Sequence, residues 1–479
     1  MLNHPSTPAS HIAIVGGGPC GMTSALLLAR AGHKVTLLEG GSGLGGLWAT
    51  KMSEGNYQGE NSCKVYQDSY HTAPALFEMI GVDWRDHFHA RHDLQSDWLS
   101  PFLRDCSARD IAKIGWAFGH FMIDARYYKN LSVEDWLHNN RVSESCQSWL
   151  RATALGGVTG TLKMTTWEMF HRFRTNLNTL CEQDDDALHW NRQPPNAKSG
   201  FIPSWQRALT STGIEIHLNA RVKGVSKNVE ALSVALTDGR SFNADSVFLA
   251  VPPPALAKVL DGSDDEIAEG FGHSRASLKT VLAESQYEHL GIAWFFDTPL
   301  QNDLPLGGHN VREGWYPILV QHSQYEPYLK DAVTTVVASV SLDTDFVHPI
   351  HGTRTCEHSS QEIAQILWED EQRKDPTLPN PIGTQIYGRS AATQIVQHGP
   401  LPVKSKGAPV FIATNLNGLS PYFTSSLEAA IQAGNAAACV FDPTVEHLPT
   451  GPKTAPKRRA SPLLRGLRLA LRNAPSFGS

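Results

Sequence analysis

Glycine stands at positions 16, 18 and 21 in the run GGGPCG, and a glutamate, Glu39, follows 18 residues after the last of them. Glycines so spaced let a backbone come close to a pyrophosphate. A carboxylate at that remove accepts hydrogen bonds from ribose hydroxyls and repels a 2′-phosphate, so the chemistry implied is dinucleotide binding with NADP disfavoured. The elements needed to hold these residues are present. His11 to Val15, HIAIV, reads as a buried parallel strand. Pro19 to Ala31 carries helical spacing at Met22, Ala25, Leu26 and Ala29, and KVTLL from Lys34 to Leu38 reads as the next strand. Within this βαβ unit Gly16 serves the tight turn, Gly18 the approach of the pyrophosphate and Gly21 the packing of helix on strand. The helix N-terminus offers N–H groups and its positive dipole end. A lone GxGxxG is a weak signal, and the flanking strands and the acid make it specific.

A second glycine pair, Gly45 and Gly46, lies in GSGLGGLWAT. It resembles the extended motif of FAD-binding flavoproteins, in which the pair lets a loop pass close to the pyrophosphate and flavin. Two later stretches extend the likeness. Gly213 to Leu256 reads as a strand, a β-ribbon with a turn at Asp238–Gly239, and a strand ending in Pro-Pro. Ala408 to Phe441 reads as a strand, a loop and a helix starting near Ser426 or Leu427, with Ala429, Ala430, Ala433, Gly434 and Ala437 suited to close packing. Together these segments resemble the FAD-dependent amine oxidase superfamily, which also holds phytoene desaturases and protoporphyrinogen oxidase.

The resemblance implies a discontinuous Rossmann-like FAD-binding domain of α/β class with an inserted mixed α+β substrate domain. It implies that Val222 meets the adenine through its backbone. It also implies that Thr414 or Asn415 supplies a contact where the family has a Gly-acid pair, and that the N-terminus at Ser426–Leu427 faces the flavin's pyrimidine end. The family arginine after the glycine pair is Leu47 here. The family lysine falls near Ile292 in SQYEHLGIAWFFD, which has no lysine. No cysteine lies just before the last helix, so FAD is expected to be non-covalent.

No charged pair stands out as acid and base, which suits flavin chemistry: the flavin takes a hydride while the protein orients the donor carbon and excludes water. Tyr422, just before the last helix, is the leading pocket residue, with Trp294 and Tyr387 as further candidates; Val333 to Ser341 is expected to floor the substrate cavity. The expected reaction is oxidation of a C–H bond of a small-molecule amine or amino acid, or C–C desaturation. Two alternatives stand beside it. A flavin monooxygenase would need a second GxGxxG for NADPH, a setting that the double glycines at Leu155 and Leu306 lack. The other is a binding or assembly subunit with a structural FAD.

The chain has 479 residues, 41% hydrophobic and 18% charged, enough for two or three domains. The FAD domain is expected over 1–70, 200–260 and 400–445, the substrate domain over 71–199 and 261–399, and a basic tail over 446–479. Ser132 is expected to cap a helix, and Cys181 to Gly200 to form a polar loop. Net charge is −6, yet from Lys453 onward there are seven basic residues and no acid. So acidic a body argues against nucleic-acid binding. The seven cysteines form no CxxC pair, and the spacing of His87, His89 and His92 in HFHARH matches no ligand set, so no metal is expected. Scattered thiols and the want of a leader or long apolar run suggest a cytoplasmic setting. In the tail, Leu463, Leu464, Leu467 and Leu471 share one helical side and Arg465, Arg468 and Arg472 the other, which suggests peripheral membrane contact.

Overall fold

The computed structural model describes residues 9–450 except 53–57, 61, 63, 68, 93–99, 151–161, 183–187, 192–194, 196, 197, 199, 303, 305–313, 316, 323–332, 343–346, 397–399 and 421–425. The chain opens with β1 (His11–Val15), α1 (Pro19–Arg30) and β2 (Lys34–Leu38), followed by α2 (Thr72–Met79). A largely helical stretch carries α3 (Ala108–Ile123), α4 (Val133–Asn139) and α5 (Thr166–Glu182). After α6 (Phe201–Ser211) come β3 (Glu215–His217), the ribbon β4 (Val222–Lys227), β5 (Leu232–Leu236) and β6 (Ser241–Ala244), and then β7 (Ser246–Leu249). Three helices, α7 (Pro253–Asp261), α8 (Asp265–Glu269) and α9 (Arg275–Glu284), lead to β8 (Gln286–Phe296), β9 (Ile318–His322) and β10 (Thr334–Ser341). The chain ends with α10 (Ser360–Lys374), β11 (Gly383–Thr393), β12 (Val410–Ile412) and α11 (Leu427–Phe441).

Two sheets organise the molecule. The first is parallel, in the order β12-β7-β1-β2-β3, and is apolar on both faces. Ile12, Ile14, Val35, Leu37, Phe248 and Phe411 face α1, α6 and α11, while Ala13, Val15, Leu38, Val247, Leu249 and Ile412 face the ribbon and α7 to α9. A strand covered on both faces has no polar side to alternate with, which is why HIAIV reads as a continuous apolar run. The second sheet is antiparallel, in the order β9-β10-β8-β11, and α10 covers one of its faces.

The packing moves three expected boundaries. Ile267, Phe271, Leu278 and Leu282 pack beneath the parallel sheet, so residues 261–285 belong with it rather than with the substrate region. Ala73, Leu76 and Phe77 of α2 join its other face, past the expected limit at residue 70. Leu448, 2% exposed, lies in the same core, so the tail begins later than 446. Within the expected polar loop, Leu188–Asn191 forms a strand paired with Tyr66–Gln67 and Phe88–His92. Ser132 caps α4 by accepting from the Asp135 N–H, as expected. Residues 451–479, with the expected amphipathic tail, lie outside the described residues.

Candidate active site

The carboxyl ends of β1, β2, β7 and β12 converge where the strand order reverses on either side of β1, the place where open α/β sheets bind ligands. Gly16 follows β1 with φ +107°, and a Cβ there would lie 2.4 Å from the Ala250 carbonyl. A Cβ on Gly21 would lie 1.9 Å from the Gly16 carbonyl. Both glycines are demanded by the protein's own backbone. Gly18 is different: its Cβ would meet nothing nearer than Gly46 Cα at 4.0 Å. It is the N-cap of α1, no side chain caps that end, and Pro19 follows in the first turn. The Gly45–Gly46 turn comes over it, Gly45 donating to the Gly17 carbonyl at 2.8 Å and both residues at positive φ, +108° and +55°. The result is a backbone-walled opening at an uncapped helix N-terminus, the donor set that a pyrophosphate requires.

Glu39 bridges the two loops, Oε2 accepting from Gly17 N–H and Oε1 from Gly41 N–H, each at 2.6 Å. Each carboxylate oxygen retains a second lone pair for a ribose hydroxyl. The Ala220 N–H donates to the Glu39 carbonyl at 2.8 Å, and this carries the chain past the same end into Val222, the first residue of β4. On the far side, Asn415 comes to the start of α1, its Oδ1 3.8 Å from Cys20 Sγ, and Thr414 caps the short turn that follows β12. Burial pushes the Cys20 thiol up to about 12, so it stands here as a neutral thiol rather than a nucleophile.

Ser426 caps α11, accepting from the Ala429 N–H at 3.0 Å, while the Leu427 side chain is buried in the core. Helix α11 lies close on α1 because Gly434 has no Cβ, which would stand 2.4 Å from the Cys20 carbonyl. The next residue, Glu428, has a role not visible in the sequence. Fully buried, it accepts from His71, Thr72 and Ala73 N–H at 3.0, 2.7 and 2.8 Å, and so caps α2 from another helix. Burial pushes its carboxyl up, against the pull of those donors.

The pocket candidates separate. Trp294 and Tyr387 lie on opposite faces of the antiparallel sheet. Trp294, 1% exposed, packs with Leu290, Ile292 and Phe296 against α10, its ring 5.3 Å from that of Trp368. Alternation along β8 turns it away from the face that carries Tyr387. Ile292, the expected lysine position, points the same way. Tyr387 shares the opposite face with Ala293, Phe295, Val320 and Val337, and Val65 packs on that group. Beside Val65, the buried Lys64 holds its ammonium 5.6 Å from the centre of the Trp48 ring and bonds to Ser62 Oγ. Trp48 closes the turn that begins at Gly46, so the Tyr387 face adjoins the loop over Gly18. Lys64 carried no spacing or motif that marked it. Tyr422 lies outside the described residues.

A small cavity of ≈ 10 Å³, room for about one water, lies where α5 meets the loop after β12; Trp167, His171, Asn415 and Ser420 are among its lining residues. Glu168 fixes that junction, accepting from Ile395 N–H at 2.6 Å and from Arg172 at 3.0 Å. Elsewhere His348, His351 and Asp370 are close enough to suggest a metal. The nitrogens of His348 are already committed: Nε2 meets Asp370 at 2.7 Å, and Nδ1 accepts from Ile350 and His351 N–H. This is a structural clamp. His87 packs by its ring near Phe77 and Phe201.

A parallel sheet with a glycine cradle at its reversal point, joined to an antiparallel sheet, is the build of a dinucleotide-binding domain with a second part. Residues 14–80 match the model of the NAD(P)-binding Rossmann-like domain, and 188–271 match that of flavin containing amine oxidoreductases. Putrescine oxidase shares the fold with a TM-score of 0.65 at 14% identity, over 90% of this chain and 98% of that one. Cyclohexylamine oxidase from Brevibacterium oxydans does so with a TM-score of 0.61 at 13% identity, over 91% and 99%. At these identities the likeness is one of fold. Curated relatives match over shorter segments. A Pseudomonas putida 2-oxo-Delta(3)-4,5,5-trimethylcyclopentenylacetyl-CoA monooxygenase is 27% identical over 157 residues, 32% of this chain and 26% of that protein. An Arabidopsis thaliana flavin-containing monooxygenase, FMO GS-OX-like 2, is 46% identical over 48 residues, 10% of each. The chain thus spans about a quarter or less of the curated relatives it matches. By one family-model match and by its fold, the chain is similar to flavin amine oxidoreductases.

Proposed function

We propose that this protein is an oxidoreductase with non-covalently held FAD, which would take a hydride from a substrate C–H bond and leave an amine as its iminium, the N–H proton of which passes to water to give the imine. The observation that carries the reading is the opening at Gly18. The protein's own packing explains glycine at 16 and 21, and it leaves 18 unexplained unless a ligand passes there. In this reading the α1 N-terminus and the Gly45–Gly46 turn hold the pyrophosphate, Glu39 the ribose, and the Val222 backbone the adenine. Asn415 and the capped start of α11 at Ser426–Leu427 border the flavin. Bound FAD supplies the hydride acceptor. The face carrying Tyr387, Ala293, Phe295, Val320 and Val337 holds the donor carbon and keeps water away.

An amine is favoured because the oxidases named for putrescine and cyclohexylamine share the fold over nearly their whole length. C–C desaturation is the second reading, favoured by the apolar character of the Tyr387 face. The monooxygenase matches are short, and among the described residues there is a single parallel sheet, without a second for NADPH. Among the described residues no helix is long and apolar enough to cross a membrane. Basic residues from 453 onward suit contact with an anionic surface.

Titration of purified protein with FAD tests the cofactor. Uptake should give a flavin spectrum and, at a hundredfold excess over Kd, about 2.7 kcal/mol of added stability. Protein that stays colourless with an unmoved melting point removes the reading. Anaerobic bleaching by diamines, cyclic amines and polyenes then assigns the substrate class, and a flavin that none of them bleaches would be structural.

A further inference from the structure

Helix α3 is apolar on two sides. Its inner side buries Ile114, Ala117 and Phe121 in the helical core. Its outer side presents Ala112, Gly115, Trp116, Gly119 and Ile123, all exposed, with Trp116 at 83% and Ile123 at 81%. Tyr127, 63% exposed in the turn that follows, continues this stripe, its ring 5.6 Å from that of His120. From Ile114 to Ile123 the helix carries no Lys, Arg, Asp or Glu. A helix apolar on both sides is expected to be covered on both, and large apolar side chains grouped on a surface mark a contact site.

The cover is either a second copy of the chain or a lipid surface, and area and charge decide between them. Two aromatic rings and an isoleucine at these exposures offer roughly 500 Å². A stable protein interface takes about 800 Å² per partner, so the stripe alone falls short of a dimer. A bilayer sets no such threshold, and Trp and Tyr are the side chains that favour its boundary with water. Charge points the same way. Residues 103–129 hold five basic and three acidic side chains in a chain of net charge −6. One of those acids, Asp110, is turned inward to Ser107, Ser143 and Lys113; Arg126 pairs with Asp124 at 3.0 Å, while Arg104 and Arg109 are exposed. Leu103, on the short helix before α3, is also 58% exposed.

We infer that the outer side of α3, with Tyr127, is a docking surface for anionic phospholipid bilayers. Trp116 and Ile123 enter the headgroup boundary and the neighbouring arginines meet phosphate. The inference is independent of the flavin reading. It is tested by floating the full-length protein with phosphatidylcholine vesicles, with and without phosphatidylglycerol. The wild type should float with the anionic vesicles. A double variant, Trp116→Ser with Ile123→Ser, should lose binding by about tenfold or more, with its melting point unmoved because neither side chain is buried. Quenching of tryptophan fluorescence by brominated lipid should fall in parallel, and the conservative Trp116→Phe should retain binding. Three results overturn the inference: a wild type that does not float; a double variant that floats as the wild type does, which assigns the binding to the basic C-terminal segment; or a wild-type dimer in sedimentation that the double variant dissociates.

Discussion

The parallel and antiparallel sheets both pack apolar side chains on two faces, and in the proposed function they carry their chemistry in different ways. In the parallel sheet it lies at the strand ends and belongs to the backbone: N–H groups at Gly17 and the start of α1, and glycines where side chains cannot fit. In the antiparallel sheet it lies on one of two faces and belongs to side chains. Both faces are lined by similar apolar residues, and only the helix that covers one of them tells the faces apart. A backbone site is written as a pattern of residue types. A face site is written only as a register, and a shift of one residue inverts it.

The largest effect should come from the tryptophan on the α10 side of the antiparallel sheet. Trp294→Ala removes a fully buried ring packed on Trp368 and should cost about 3–5 kcal/mol in chemical denaturation. The folded variant should still take up FAD normally. A Trp294→Ala protein of wild-type stability whose bound flavin is no longer reduced by substrate would reverse the assignment of faces.

The glycines sharpen the other half of the comparison. Gly21→Ala drives a methyl into the Gly16 carbonyl and should cost up to about 3 kcal/mol of folding stability with or without cofactor. Gly18→Ala meets no protein atom closer than 4.0 Å, so cofactor-free stability should hold. Its FAD affinity should fall about tenfold or more, a loss of about 1.4 kcal/mol. Melting curves and FAD titrations of the pair check this, and equal affinity in Gly18→Ala and wild type would leave the opening without a purpose.

How much was legible follows from the same contrast. The strand–turn–helix at residue 11, the cap at Ser426 and the turn at Gly239 with φ +91° are local, and local residue types announce them. The Glu428 cap on α2 joins residues 355 to 357 positions apart, and no local signal encodes such a pair. Lys64 and Trp48 meet only once intervening strands fold back. The strand at Leu188–Asn191 is short, and its neighbours in sequence are polar, so its partners rather than its composition make it a strand. The amphipathic pattern of residues 261–285 says that a face is buried without saying against which sheet.

Asp110 offers a smaller effect with a defined pH course. Burial pushes its carboxyl up, but the hydroxyls of Ser143 and Ser107, Lys113 and the Ser143 N–H outweigh this and hold it at about 2, below its ordinary 3.8. A lowered carboxyl adds stability that is fully present above the unfolded value and is lost as pH falls towards the folded one. The amount is about 2 kcal/mol. Asp110→Asn should therefore be less stable than wild type by about 2 kcal/mol at neutral pH, and the gap should close between about pH 4 and pH 2. Urea midpoints across that range check it, and a gap that does not vary with pH would mean that packing, rather than charge, sets the role of Asp110.

The smallest effect should be the most telling for function. Tyr387→Phe keeps the ring on the apolar face and removes only the hydroxyl, so folding stability should stay within about 1 kcal/mol of wild type. If that face holds the substrate, the loss of one hydrogen-bonding group should slow anaerobic flavin reduction by about threefold to tenfold, the rate equivalent of one neutral hydrogen bond. Trp294→Phe, on the other side of the same sheet, should leave the reduction rate alone. Stopped-flow reduction of the two variants thus compares the faces directly. If both slow equally, the sheet acts as a whole scaffold and the distinction between its faces has no functional meaning. If only Tyr387→Phe slows, a side chain chosen by register, on a sheet whose two faces look alike in sequence, takes part in holding the substrate.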